Sequence, residues 1–267
     1  MYFFLCNLSF LDISSTSVTL PKLLDILLTK RHQISAVGCF TQMHFFMCFV
    51  CVEFIIISVM AYDRYVAICY PLRYAVIMNQ RLCVLMAAGT WIFGFMEPVS
   101  HTILLSHLFY CGSNEINHFF CDPSALLKLS CSSTSTVESV TYIFGVFVGL
   151  PCFTVTITSY GYIISSILRI RSAEGRRKAF STCSSHLTVV ILFYGTLICL
   201  YMRPTSMQSL DQNKLFALLY NVLIPMFNPI IYSLKNREVK SAIRKVFNRR
   251  KMFLFIKRTQ TYIDCIP

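Results

Sequence analysis

Charge is what this sequence has least of. Only 13% of its 267 residues are Asp, Glu, Lys or Arg, against about 25% in an ordinary soluble domain. Acids are the scarcer sign, 12 against 24 bases. With 55% hydrophobic residues and a mean hydropathy of +0.61, the chain is composed for lipid rather than water. Motifs that carry catalysis are also missing. No glycine-rich phosphate loop, Walker lysine or G-x-S-x-G elbow occurs, so the chain reads as no enzyme and calls for no cofactor. No basic leader with a cleavage site opens it. The single N-x-S/T triplet, Asn7-Leu8-Ser9, falls inside the first apolar run, where glycosylation is not expected. Matching pairs of interrupted helices, the mark of a transporter's two halves, are absent too.

What is present is a series of long apolar runs. About 20 such residues cross a hydrocarbon core about 30 Å thick. Stretches such as "FFMCFVCVEFIIISVMAY" are continuous rather than alternating, which favours helices over a closed barrel. Spans are expected at about 2–24, 36–64, 82–105, 138–168, 179–203 and 212–233, giving one all-α polytopic membrane helix bundle over 1–233. Most bases cluster around the second-to-third connection (Arg64, Arg73, Arg81), in 169–178 and in 235–258. That clustering argues against nucleic acid and, by the positive-inside rule, puts these segments and the carboxyl end in the cytoplasm. Residues 234–247 space Leu234, Val239, Ile243 and Val246/Phe247 like a short amphipathic helix on the anionic inner leaflet, so membrane lipid is an expected partner. A basic tail follows at 248–267.

Thirteen cysteines occur, many of them inside spans, where a thiol packs as a small apolar side chain. Cys48-Phe-Val-Cys51 has redox or zinc spacing but sits in an apolar helix, which argues against both. Cys39, Cys111, Cys121 and Cys131 fall on the other, oxidising side; they permit three pairings, and bridging Cys39 to the loop would draw a lid over the bundle. His101, His107 and His118 stand near them, but without tight ligand spacing loop surface outweighs a zinc or copper site.

Asp12 and Glu53 are acids within spans, where an unpaired carboxylate costs several kcal/mol. Glu53 lies about 16 Å along the helix from Arg64, near mid-span. With Asn228 the two acids could hold a cation or share a proton, or could be neutral hydrogen-bonded groups; these readings weigh equally. Pro21, Pro98, Pro151, Pro225 and Pro229 mark kinks or hinges.

"MAYDRYVAICYPLRY" (60–74), "KAFSTCSSHLTVV" (178–190), "PMFNPIIYSLKN" (225–236), Ser159-Tyr160 and the cysteine-rich loop together resemble the olfactory receptors of the rhodopsin-like (class A) G-protein-coupled family. "MYFFLCNLSFLD" resembles that family's second helix, so the resemblance implies six of seven transmembrane helices, without the first helix and glycosylated tail. It implies a small-molecule odorant as ligand and a heterotrimeric G protein of the olfactory stimulatory type as partner, raising cyclic AMP from a plasma membrane receptor. A truncated, non-signalling fragment retained in the endoplasmic reticulum is the alternative, and an ion-coupled transporter a more distant one. The resemblance also implies Cys39–Cys121 and Cys111–Cys131 bridges and a sodium-type site at Asp12 and Glu53. Switch roles are implied for Asp63, Arg64, Tyr65, Tyr160, Asn228, Pro229 and Tyr232, with Asp63 holding Arg64 at rest. Ligand contacts are expected from Phe46, Met47, Val50 and Cys51, and on facing helices from Phe144, Val148, Tyr194, Leu197, Ile198, Tyr201 and Asn221.

Overall fold

In lipid a backbone N–H or C=O finds partners only within its own helix, and the apolar runs fold accordingly. The computed structural model describes residues 2–29, 33–111, 115–201 and 210–235; the side chains at 182, 200, 201, 210–213, 229, 230 and 232–235 are not described. The long helices are α1 (Tyr2–Thr29), α2 (Ala36–Cys69), α4 (Gln80–Ser106) and α8 (Ala173–Tyr201). Two more runs are composite: α6 (Ser135–Phe144) continues through a π turn (Gly145–Gly149) into α7 (Leu150–Leu168), and α9 (Leu210–Leu218) through a π turn (Leu219–Leu223) into α10 (Ile224–Lys235). Short helices α3 (Tyr74–Ile77) and α5 (Pro123–Leu129) lie in connections. The proposed helix at 234–247 and the tail at 248–267 lie outside the described residues, apart from the last residues of α10.

Local chemistry sets the boundaries. Ser35 accepts from Gly38 N and Asn79 from Leu82 N, each side chain capping the helix that follows. Tyr70-Pro71 ends α2, because the residue before proline is driven from helical geometry. Pro21 and Pro98 sit inside α1 and α4. Pro151 and Pro225 instead lie two residues beyond the two π turns, whose wider i→i+5 bonding accommodates the proline ring.

α2 is the central helix, packed against α1, α4, α7 and α8. It buries residues around much of its circumference, from Cys39 to Val66. α4 comes close enough at Gly94 that an added Cβ would strike the Val52 side chain and lie 3.1 Å from the Val52 backbone nitrogen. Only glycine allows that approach.

α1, α2, α4 and the α6–α7 run are each long and apolar enough to cross a membrane. α8 qualifies as a fifth if its two segments, bent by 46° between Ser181 and Cys183, count as one span. The last expected span contributes a shorter apolar stretch, Lys214–Asn228; its helix is interrupted by the π turn.

Candidate functional site

Three layers of polar or aromatic groups lie along α2. At the Arg64 end, Asp63 is fully buried and its Oδ1 accepts a hydrogen bond from the Tyr74 hydroxyl at 2.8 Å. Burial and this bond push the Tyr74 phenol up to about 12, so it remains a donor at neutral pH. Arg64 buries its Nε without a hydrogen-bond partner and stands close enough to act electrostatically on Tyr160, Cys183 and His186. Tyr160 of α7 shares a 2.6 Å hydrogen bond with His186 Nδ1 of α8, their rings stacked at 5.8 Å. Both side chains are buried, so the bond closes α7 onto α8 beside the arginine. Tyr65 lies outside this cluster, with its ring against Tyr62, Tyr70 and Tyr162.

The middle layer joins the two acids to the last helix. Tyr220 donates to Glu53 Oε2 at 2.7 Å and Asn228 Nδ2 to Asp12 Oδ1 at 3.0 Å. Asp12 and Glu53 are close enough for their charges to interact. Asp12 Oδ2, Glu53 Oε1 and Asn228 Oδ1 are buried without hydrogen-bond partners. Oxygen donors of this kind suit a small hard cation. The side chains of Pro229 and Tyr232 lie outside those described.

The outer layer is aromatic. Phe46 packs against Phe120 of the long connection at 5.1 Å and against Tyr220 at 6.3 Å. Tyr194 lies deeper, at the level of Glu53: it meets Phe54, Phe153 and Phe193 at 5.9, 5.1 and 5.2 Å, and its hydroxyl lies 3.5 Å from Thr156. Phe46, Tyr194 and Leu197 are buried in one cluster, with Met47 and Val50 packed against it; Cys51 is buried on α2 and Asn221 in the π turn before α10. Asn221 donates to Ala217 O and keeps its Oδ1 unpartnered. Phe144 and Val148 are half-buried, Phe144 set edge-on to His101. Ile198 is 48% exposed on the outward face of α8 and is not brought to the others. The Tyr201 side chain is not described.

A lid covers this layer. Cys39 is bonded to Cys121 and Cys111 to Cys131, with Cα separations of 5.4 and 5.9 Å. Buried Gln42 fastens it: its amide donates to Val18 O and its carbonyl accepts from Cys121 N, both at 3.1 Å. Among the described residues no group of three or more His, Cys, Asp or Glu could hold a metal ion. His101 pairs with Glu97 at 3.3 Å, and His118 stands edge-on to Phe120 at 4.6 Å.

Gln42, Tyr74, His186 and Tyr220 escaped the sequence reading. His186 stands in the quoted "KAFSTCSSH" stretch, which was the available signal; Gln42, a lone amide in an apolar run, was a weaker one. Glu97 and His101 share an i, i+4 spacing that could also have been read.

An α-helical bundle with buried charge at one end of its central helix and a disulfide-tied lid at the other defines a rhodopsin-like membrane receptor rather than an enzyme. Squid rhodopsin superposes with a TM-score of 0.65 at 16% identity, over 91% of this chain and 70% of that one. The sequence profile described as "Olfactory receptor" matches residues 1–250. Olfactory receptor 226 of Rattus norvegicus is 50% identical over 93% of this chain and 77% of its own length. Olfactory receptor 6A2 of Homo sapiens is 51% identical over 91% and 76%. The chain belongs to the olfactory receptor family of class A G-protein-coupled receptors.

Proposed function

We propose that this receptor binds small, mostly apolar odorants beneath the lid and activates a stimulatory, olfactory-type G protein at the Arg64 end, raising cyclic AMP. The lid end faces outward from the plasma membrane and the carboxyl end lies in the cytoplasm, as the clustering of bases at 169–178 and 235–258 favours. The observation that carries this reading is the placement of an aromatic layer on the same helices as a buried latch. Tyr220 packs on Phe46 in the outer layer and bonds Glu53 in the middle one; Tyr160 and His186 close the bundle beside Arg64.

Phe46, Met47, Val50, Cys51, Phe144, Val148, Tyr194, Leu197 and Asn221 form the ligand-contacting set. Tyr194 and Asn221 offer the polar contacts in an otherwise apolar wall. An odorant that packs better when α8 swings away selects the open state. Arg64 and Tyr160, with Tyr232, then turn to the G protein. Asp12, Glu53 and Asn228 are the residues that would hold a sodium ion, whose charge would favour the closed bundle by satisfying their unpartnered oxygens. The test is a cyclic AMP assay on cells with surface-normalised receptor and an odorant panel. Responses are expected to vanish in Arg64→Ala and to shift at least tenfold in half-maximal concentration in Tyr194→Ala. Unaltered responses in Arg64→Ala would overturn the coupling role.

A further inference from the structure

Among the described residues, a concave feature lies apart from the ligand layer and the latch. Where α7 ends and α8 begins, the surface folds into a groove of about 460 Å³. Ile164, Ile167, Leu168 and Phe180 form its apolar floor and wall, and Arg176 and Arg177 line it beside them. Ile167 is buried, whereas Ile164, Leu168 and Phe180 are 44%, 65% and 53% exposed. Around it, residues 169–178 carry five bases, Arg169, Arg171, Arg176, Arg177 and Lys178, against one acid, Glu174.

Two demands are therefore made of an occupant: a chain for the apolar floor and a negative charge for the two arginines that border it. A free phosphate meets the second alone. An anionic glycerophospholipid meets both, because arginine forks match phosphodiester oxygens while an acyl chain covers Ile164, Leu168 and Phe180. We propose that this groove binds one anionic phospholipid of the cytoplasmic leaflet. The lipid bridges α7 and α8, the helices that Tyr160 and His186 tie together, so it acts on the segment whose separation opens the receptor. The inference rests on the orientation proposed above.

The test uses the full chain in nanodiscs of phosphatidylcholine doped with phosphatidylserine, with retained lipid counted by native mass spectrometry. One phosphatidylserine is expected to be held in preference to phosphatidylcholine. Arg176→Gln/Arg177→Gln should weaken retention at least about tenfold more than Arg169→Gln/Arg171→Gln, outside the groove, which loses only the diffuse attraction common to every base near the surface; Phe180→Ala should weaken it without changing charge. Equal loss in both arginine pairs would reduce the effect to diffuse attraction and overturn the site. So would glycerophosphoserine competing as well as the intact lipid, or cross-linking from position 180 to an added G protein instead of lipid. An epitope inserted after Ser172 separates the two readings. Antibody staining of intact cells overturns the orientation, whereas staining only after permeabilisation, with no lipid retained, overturns the groove alone.

Discussion

Replacing His186 by leucine should switch the receptor partly on without any odorant. The Tyr160 hydroxyl and His186 Nδ1 are 2.6 Å apart and both side chains are buried. In His186→Leu the hydroxyl stays buried without its hydrogen-bond partner, at a cost to the closed state of about 1–3 kcal/mol. That shifts the equilibrium about 5- to 150-fold, since 1.4 kcal/mol is tenfold. If the open form starts near 1%, within the usual range for a minor state, it rises to between about 5% and 60%. Basal cyclic AMP, normalised to surface receptor, reads this directly. The companion variant Tyr160→Phe/His186→Leu removes the orphaned hydroxyl as well, and replacing both partners of a buried bond by apolar groups is nearly neutral. Its basal signal should fall back toward wild type. Unchanged basal activity in His186→Leu at normal surface level, or equal activation in both variants, would refute the latch.

Gln42→Ala should loosen the lid, because it leaves the amide of buried Cys121 and the carbonyl of Val18 without their partner. Losing about 1–3 kcal/mol should appear as a lower Tm of the solubilised receptor. Gly94→Leu should abolish surface expression, since its side chain has nowhere to go against Val52, while Gly89→Ala, with nothing within 4 Å of an added Cβ, should be silent in the same flow-cytometry assay. The lid should also be acid-sensitive. Burial lowers the His118 pKa below the ordinary 6.5, the positive charges of Lys214 and Lys128 adding to this and the Asp122 carboxylate and a Phe120 carbonyl opposing it. A depressed histidine pKa means the unfolded chain takes up the proton first, so its contribution is complete above about pH 6.5 and is lost as pH falls toward the folded value. The protection of amides across 118–122 against hydrogen exchange, taken relative to the intrinsic rate at each pH, should fall on that descent, and should not in His118→Phe.

The helices were legible because lipid forces continuous apolar length, and run length is readable without any partner. α2 begins at Ala36, where its apolar run was expected to begin, but continues to Cys69, past the expected end at 64. Which way a side chain faces was less accessible. α2 is buried over so much of its surface that no stripe in its sequence points Glu53 at Tyr220 rather than at α4. Tyr220 itself lies in the π turn Leu219–Leu223, where a 3.6-residue period no longer predicts facing. Leu197 and Ile198 are alike in composition, yet one is buried and the other looks outward. The grouping of four cysteines on one side followed from loop chemistry, but spacing left three pairings open, and the two bonded pairs are the ones the family resemblance implied. His101, His107 and His118 were neighbours in sequence only, because Glu97 and the Phe120 ring draw two of them into different surroundings.

The two π turns have a consequence for how such a receptor diversifies. Each inserts an additional residue into one revolution, between Gly145 and Leu150 and again between Leu219 and Ile224, so the angular phase above the turn is offset from the phase below. Side chains on the lid half can be exchanged, or re-aimed by a shift of that extra residue, while Tyr160 and Asn228 keep their bearings on the opposite half. A fold partitioned in this way can trade its upper storey freely and leave the machinery beneath it untouched.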